Sequence, residues 1–380
     1  MSDTMLAVGL KRNAKGIQEA QMPVPKITKP NEVLIKIKEA GICGTDFNMI
    51  NYDSKDIAEG GNFITLGHEM IGVVQKIGSE VKSLKEGDLV TVTVRRGCGL
   101  CNPCLYGQSD MCMTGLFKER GIHKLHGFLT KYVVDDEQYV VKVPKDLEKY
   151  GVFIEPLSIA EKGIEQIKII QSRMPWSCAH PKHRFEEEEW GHCKTAVVIG
   201  AGPIGLLATC LLRLAGVNTY VVEIVDEESL KIQLVKKLGA HYINANGKKP
   251  QDIVNLCCSA GTLDIIFEAS GASDLAISLI PYMSRSSIYV MTGIPKGEKH
   301  KMFDAHAILR QIVRHNQVIV GSANSNRNHF IMAINDIERI NKKFNYILDK
   351  AITHRFKLSQ YKEIFNLKNE DRIKIIVKVD

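Results

Sequence analysis

Four cysteines crowd into fifteen residues, Cys98, Cys101, Cys104 and Cys112, with the spacing C-x2-C-x2-C-x7-C. Thiolates that close can wrap one tetrahedral zinc ion, and four sulfurs leave no open coordination position. The implied role is structural, the ion supplying folding energy to a lobe (about residues 95–115) with few apolar side chains. A disulfide pair and an iron–sulfur cluster are the alternatives; a reducing compartment disfavours the first, and the second uses related spacings. The other six cysteines, Cys43, Cys178, Cys193, Cys210, Cys257 and Cys258, are dispersed, which favours metal over a disulfide framework.

A second donor set stands upstream. Cys43 lies in Gly41-Ile42-Cys43-Gly44-Thr45-Asp46, and His68-Glu69 follows Leu66-Gly67. One thiolate, one imidazole and one carboxylate with a free position make zinc a Lewis acid toward a hydroxyl. Spacing alone does not link Cys43 to His68 across 25 residues.

Gly200-Ala201-Gly202-Pro203-Ile204-Gly205 follows the apolar run Ala196 to Ile199 and opens an apolar helix. The glycines permit a tight turn, close approach to a pyrophosphate and tight helix packing, with the helix N-terminus facing the phosphates. Glu223, 18 residues beyond Gly205, falls where a carboxylate accepts hydrogen bonds from the adenosine ribose and repels a 2′-phosphate. Ile224, Val225 and Asp226 follow, without an arginine, so NAD is expected over NADP. Thr292 and Gly293, at the end of a later strand, are candidates for contacts near the nicotinamide.

From Met5 to about Pro144, short β-branched runs such as Val33 to Ile37, Gly72 to Ile77 and Leu89 to Val94 alternate with Gly, Pro and Asp turns. Beyond about Gly163 the pattern becomes strand–helix alternation. Strands are expected at Ala196–Ile199, Thr219–Val222, Leu263–Glu268, Ile288–Thr292 and Val318–Gly321, giving a parallel sheet with ligands beyond its carboxyl ends. Ile373 to Val379 reads as a strand returning to the β-rich part. Gln171 to Cys193 has no periodicity and reads as a connector; its Cys178, His180, His183, His192 and Cys193 are too irregularly spaced for a metal site.

At 380 residues, 44% hydrophobic and 24% charged, the chain is long enough for two folded domains. The net charge of +7 is scattered, with no basic stripe for nucleic acid. The apolar stretch Val197 to Val217 contains four glycines, Pro203 and Arg213, which fits a strand, turn and buried helix better than a membrane span. The opening residues read as a strand and not a signal peptide, and a cytoplasmic location is expected.

Gly67-His68-Glu69-Met70-Ile71-Gly72, continuing to Gly78 and Val81, resembles the zinc signature of the medium-chain alcohol dehydrogenase superfamily. The cysteine lobe and the glycine fingerprint follow in that family's order. The chain further resembles the archaeal-type glucose dehydrogenases in Arg95-Arg96-Gly97-Cys98, Gly121-Ile122-His123-Lys124, Gly127-Phe128, Glu155-Pro156-Leu157 and Glu161-Lys162. That resemblance implies an α/β fold, with a GroES-like β-rich catalytic domain (1–163 and 323–380) and a Rossmann doubly wound domain (164–322). It implies a catalytic zinc on Cys43, His68 and Glu69, with Glu155 as ligand or exchanging with water, and a second, structural zinc on the four cysteines. Thr45 matches the residue that bonds the substrate oxygen and starts proton removal, Asp46 a residue that orients the ligands, and Glu119 and Asn324 positions that contact sugar hydroxyls.

The implied reaction is oxidation of glucose at C1 to gluconolactone with hydride transfer to NAD, in a homotetramer or homodimer. Ile159 and Arg314 depart from the family's aspartate and histidine, and leave another aldose, polyol, sugar phosphate or secondary alcohol as alternatives. A zinc-free reductase is disfavoured by the retained donor residues, and a non-catalytic NAD sensor would show no metal-dependent turnover.

Overall fold

The computed structural model describes residues 3–51, 57–58, 61–174, 188–257, 262–295, 302–368 and 372–379. Cys178, His180, His183 and Cys258 lie outside the described residues. Strands β1 (Thr4–Lys11), β2 (Gln18–Pro23), β3 (Glu32–Ile42), β4 (Phe63–Thr65), β5 (Glu69–Ile77), β6 (Leu89–Val92), β7 (Arg95–Arg96), β8 (Lys118–Arg120), β9 (Lys124–Leu125), β10 (Tyr132–Asp136) and β11 (Val140–Lys142) come first. Short helices α1 (Gly44–Asn51) and α2 (Asn102–Leu105) lie among them, and the long α3 (Ile154–Ser172) follows. Then come β12 (Thr195–Ile199), α4 (Pro203–Leu214), β13 (Asn218–Glu223), α5 (Leu230–Lys237), β14 (His241–Asn244), α6 (Pro250–Cys257), β15 (Ile265–Glu268), α7 (Ser273–Leu279), β16 (Ile288–Met291), α8 (Ala305–Arg314) and β17 (Val318–Gly321). The described chain closes with α9 (Arg327–Lys343), α10 (Ile347–Ala351), β18 (Ile352–Lys357), α11 (Tyr361–Phe365) and β19 (Lys374–Lys378).

Two compact units result: Met1–Ser158 with Asn324–Glu338 and Ile352–Asp380, and Ile159–Ala323 with Arg339–Ala351. The first division falls inside α3, five residues before the expected 163/164; the next, at 323/324, lies one residue from the expected 322/323, and two further ones, inside α9 and after α10, have no counterpart in the sequence reading. A helix that continues through a boundary carries no linker composition to mark it.

In the first unit the main sheet runs β11-β6-β5-β3-β19-β18, with β10 also pairing β3. Alternation explains its core. Val33, Ile35 and Ile37 of β3 are fully buried and pack with Val74, Val90, Val92 and Ile375, while the residues between them are half-buried. The run Ile373 to Val379 does return to this sheet, as β19 beside β3.

Strands β7 and β10 are tied by charge. Arg96 and Arg120 both bond the carboxylate of Asp135, with Arg96 Nε at 3.0 Å and Arg120 Nη2 at 2.9 Å, and all three side chains are buried. Burial pushes the Asp135 carboxyl up, but Arg120 and Arg96 outweigh it and hold it below the usual carboxylate value. Asp135→Asn should therefore cost about 3–5 kcal/mol in denaturant unfolding at neutral pH, because two buried guanidiniums lose their anion. That deficit should be complete above the unfolded carboxylate value of about 3.9 and shrink as the pH falls through the lower native value. A deficit that persists unchanged at acid pH would mean the charge is not what the triad contributes.

The second unit is a six-stranded parallel sheet, β14-β13-β12-β15-β16-β17. Chain order reverses between β12 and β15, the place where such sheets open a ligand crevice at their carboxyl ends. The pattern of short buried strands explains the parallel arrangement: β15 is buried at every position, and β12 at all but its first. No helix among the described residues is long and apolar enough to cross a membrane.

Candidate active site and metal centres

Cys43 lies where β3 passes into α1, and Asp46 shapes that corner. Its buried carboxylate accepts from the backbone N–H of Cys43 at 2.8 Å and of Gly67 at 3.1 Å, fixing the Cys43 turn against the residue before His68. His68 Nδ1 lies 3.7 Å from Asp46 Oδ1, too far for a hydrogen bond, and is buried with no hydrogen-bond partner among the described residues. One donor atom each from Cys43, His68 and Glu69 lies within 4.8 Å of the others. A sulfur, an imidazole nitrogen and a carboxylate oxygen gathered this closely fit a zinc ion. Thr45 Oγ1 is 3.8 Å from Cys43 Sγ.

Glu69 has a partner that the sequence reading missed. Lys374 Nζ donates to both carboxylate oxygens, at 2.8 and 2.6 Å, with both residues essentially inaccessible to solvent. Glu69 starts β5 and Lys374 starts β19, on opposite sides of β3, so the pair bridges over that strand. Gly41 makes the bridge possible, since a Cβ there would sit 1.9 Å from Glu69 Oε2. A lysine in the otherwise apolar run Ile373 to Val377 was the available signal; a buried cation needs an anion.

Glu155, at the start of α3, does not join the ring of three donors among the described residues. It is 7% exposed, and burial pushes its carboxyl up to about 7, with Glu69 and Asp46 adding to the shift and His68 and Lys374 opposing it. Burial disfavours the charged form of His68, but the Asp46 carboxylate leads the effects that hold its pKa well above the usual imidazole value.

Glu119 and Asn324 meet. Asn324, at a left-handed φ of 59°, donates through Nδ2 to Glu119 Oε1 at 2.7 Å. Arg95, also unforeseen, donates to the same oxygen from Nε at 3.0 Å and Nη2 at 2.9 Å, and stacks 4.0 Å over Phe117. Glu119 is thereby fixed in orientation.

The four lobe cysteines have sulfurs within 4.8 Å of one another, and all are free thiols. Backbone N–H groups of Leu100 and Cys101 each reach Cys98 Sγ at 3.4 Å. Bonds from Thr114, Leu100 and Cys101 bring Cys98 down to about 6, toward the thiolate a metal needs. A Cβ on Gly97 would lie 2.3 Å from Cys104 Sγ. This clustering fits a four-sulfur ion site.

In the second unit Gly200 adopts a φ of 99°, and a Cβ on Gly205 would meet Gly200 O at 2.0 Å. Gly202 caps α4, Pro203 stands at its first turn, and nothing lies within 4 Å of a Cβ built on Gly202. Gly202, Pro203 and Ile204 are half-exposed, forming an open cradle at a helix N-terminus. Glu223, at the end of β13, accepts from Ala201 N and Ile224 N, both at 2.9 Å. Thr292 donates its hydroxyl to Glu268 O at 2.7 Å, and Gly293 N donates to Glu268 Oε2 at 3.1 Å. Glu268, not foreseen, also accepts from Ser270 and Gly271 and so pins the turns after β15 and β16 together. Ile159 is half-buried on α3, and Arg314 is exposed in the last turn of α8.

Residues 29–145 match the alcohol dehydrogenase GroES-like domain, and residues 148–379 the glucose dehydrogenase C-terminus family. This chain belongs to the glucose dehydrogenase family of the zinc-dependent alcohol dehydrogenases. Among its relatives is the glucose 1-dehydrogenase of Methanocella arvoryzae, 35% identical over 349 residues that cover 92% of each chain. That of Thermoproteus tenax is 34% identical over 362 residues, 94% of each. A solved structure of Haloferax mediterranei glucose dehydrogenase, in complex with NADP, zinc and gluconolactone, matches 99% of both chains with a TM-score of 0.85 at 28% identity. Membership makes this family member a dehydrogenase acting on CH–OH.

Proposed function

We propose that this protein oxidises glucose at C1 to gluconolactone, passing hydride to NAD. The carrying observation is the gathering of Cys43, His68 and Glu69 donor atoms within 4.8 Å, in a chain whose relatives are glucose 1-dehydrogenases. Cys43, His68 and Glu69 would hold the catalytic zinc, with Glu155 as a further or exchanging ligand, and Cys98, Cys101, Cys104 and Cys112 a structural one. When bound, the catalytic zinc supplies Lewis acidity that makes a hydroxyl proton easier to remove. Thr45 accepts a hydrogen bond from the sugar hydroxyl and passes its proton outward. Asp46 fixes the backbone from which Cys43 and His68 project. Glu119 and Asn324 bond sugar hydroxyls, with Arg95 holding the Glu119 side chain in place. Gly200 to Gly205 cradle the pyrophosphate, and Thr292 and Gly293 border the nicotinamide.

Glu223 supports NAD over NADP. Its carboxylate faces the fingerprint turn, and the following residues, Ile224 to Glu228, offer three more acids and no cation. Initial rates should give kcat/KM for NAD at least about tenfold above NADP, and Glu223→Ala should narrow that ratio. Equal use of both dinucleotides would overturn the assignment.

Homo-oligomers, dimers or tetramers, complete the reading. Edge strand β17 pairs only β16 among the described strands, and Leu309 and Val313 of α8 are 62% and 75% exposed. Absorbance at the NADH wavelength tests the activity across aldoses, polyols, sugar phosphates and simple alcohols. Rapid, chelator-sensitive reduction with glucose supports the proposal; turnover of another hydroxyl compound alone would move the function to that substrate, as Ile159 and Arg314 would then explain.

A further inference from the structure

A cavity of about 980 Å³ opens in the first unit and shares no residue with the metal clusters or with Glu119 and Asn324. Strand alternation builds it. Val33 and Ile35 face the core, so Leu34 between them faces the other side of the sheet, and its cross-strand neighbour on β5 is Lys76. Leu6 of β1, Ile27 beyond β2, Leu358 beyond β18 and Val379 beyond β19 add aliphatic wall. The volume is at the upper end of the range for small-molecule sites, roughly 300–1,000 Å³.

Its charge is one-sided. Lys26, Lys76, Lys131 and Lys357 line it, and none of its lining residues among those described is acidic, although the chain has 43 Asp and Glu. None of the four lysines has an ion-pair partner among the described residues. Lys131 is moreover half-buried. Each of these ammonium groups meets no counter-charge in the described lining, and an anion seated beside them supplies one. Tyr132 is the only aromatic residue in the lining among the described residues, so a base or other flat ring lacks a stacking pair there. Lysines act as point charges and do not impose the bidentate geometry that arginines give to phosphate.

We propose that this cavity binds an aliphatic carboxylate, a fatty-acid anion, with its tail along Leu6, Leu34 and Leu358 and its carboxylate among the lysines. The inference is independent of the oxidation site and does not depend on which sugar is used.

Calorimetric titration of the full chain with dodecanoate, kept below its micelle concentration, tests it, with dodecyltrimethylammonium as the charge-reversed control. One saturable dodecanoate site per chain is expected, with a negative heat-capacity change from tail burial and no matching site for the cation. Lys76→Glu combined with Lys131→Glu should weaken dodecanoate about tenfold or more, with dehydrogenase activity unchanged. Lys26→Glu, on an exposed segment, should weaken it in the same direction even if the double variant folds poorly. Absence of a saturable site, equal binding of the cationic amphiphile, or affinity indifferent to these charge reversals would overturn the proposal.

Discussion

His68→Ala should lower kcat/KM for sugar oxidation by on the order of 10³-fold or more, since Lewis-acid stabilisation of developing oxygen charge contributes several kcal/mol. The loss has a signature separate from activity. Metal analysis should fall from two zinc equivalents per chain to one, because the cysteine lobe is built from different residues. NADH binding, read by its fluorescence, should stay near the unsubstituted value, because the glycine fingerprint and Glu223 are untouched. Removing the imidazole leaves Asp46 bonded to Cys43 N and Gly67 N, so the corner itself should persist. A His68→Ala protein that keeps both its activity and its second zinc would remove this residue from the site.

In the zinc-free protein, Lys374→Met should cost about 3–5 kcal/mol of stability, because it leaves a fully buried carboxylate without a cation. The same change should also weaken the metal centre: Glu69 loses the anchor that sets its carboxylate beside Cys43 and His68. Pairing it with Glu69→Gln separates the two effects. The double variant removes the uncompensated charge and should recover part of the stability, while zinc affinity stays low. Thermal unfolding and zinc competition with a chromogenic chelator measure the two quantities. A Lys374→Met protein as stable as the parent would show that the ion pair contributes nothing net, as buried pairs sometimes do.

Local signals were readable because local physics produces them. The glycine fingerprint needed only its flanking strand and helix, and β17 falls at Val318–Gly321 where its apolar run predicts it. In the β-branched run Leu89 to Val94, the strand β6 occupies Leu89–Val92, and Thr93 N bonds Tyr139 O. The partners of site residues were not readable. Arg95 meets Glu119 across β7 and β8, and Lys374 meets Glu69 over Gly41; such pairings depend on strand order, which periodicity does not encode. Arg339 to Ala351 joins the second unit although it lies beyond the expected boundary at residue 322, because α9 runs on without a break.

The bridge over Gly41 also orders events in time. Glu69 and Lys374 are separated by 305 positions, so most of the chain must be synthesised before this carboxylate meets its cation. Closing so long a loop is slow relative to local strand pairing. Nascent β3 and β5 therefore present Glu69 uncompensated, and docking of β19 is the step that makes its burial tolerable. If docking of β19 completes both the sheet and the Glu69 site, a ribosome-stalled chain ending before residue 374 should bind zinc at the cysteine lobe well before it does so at Cys43 and His68.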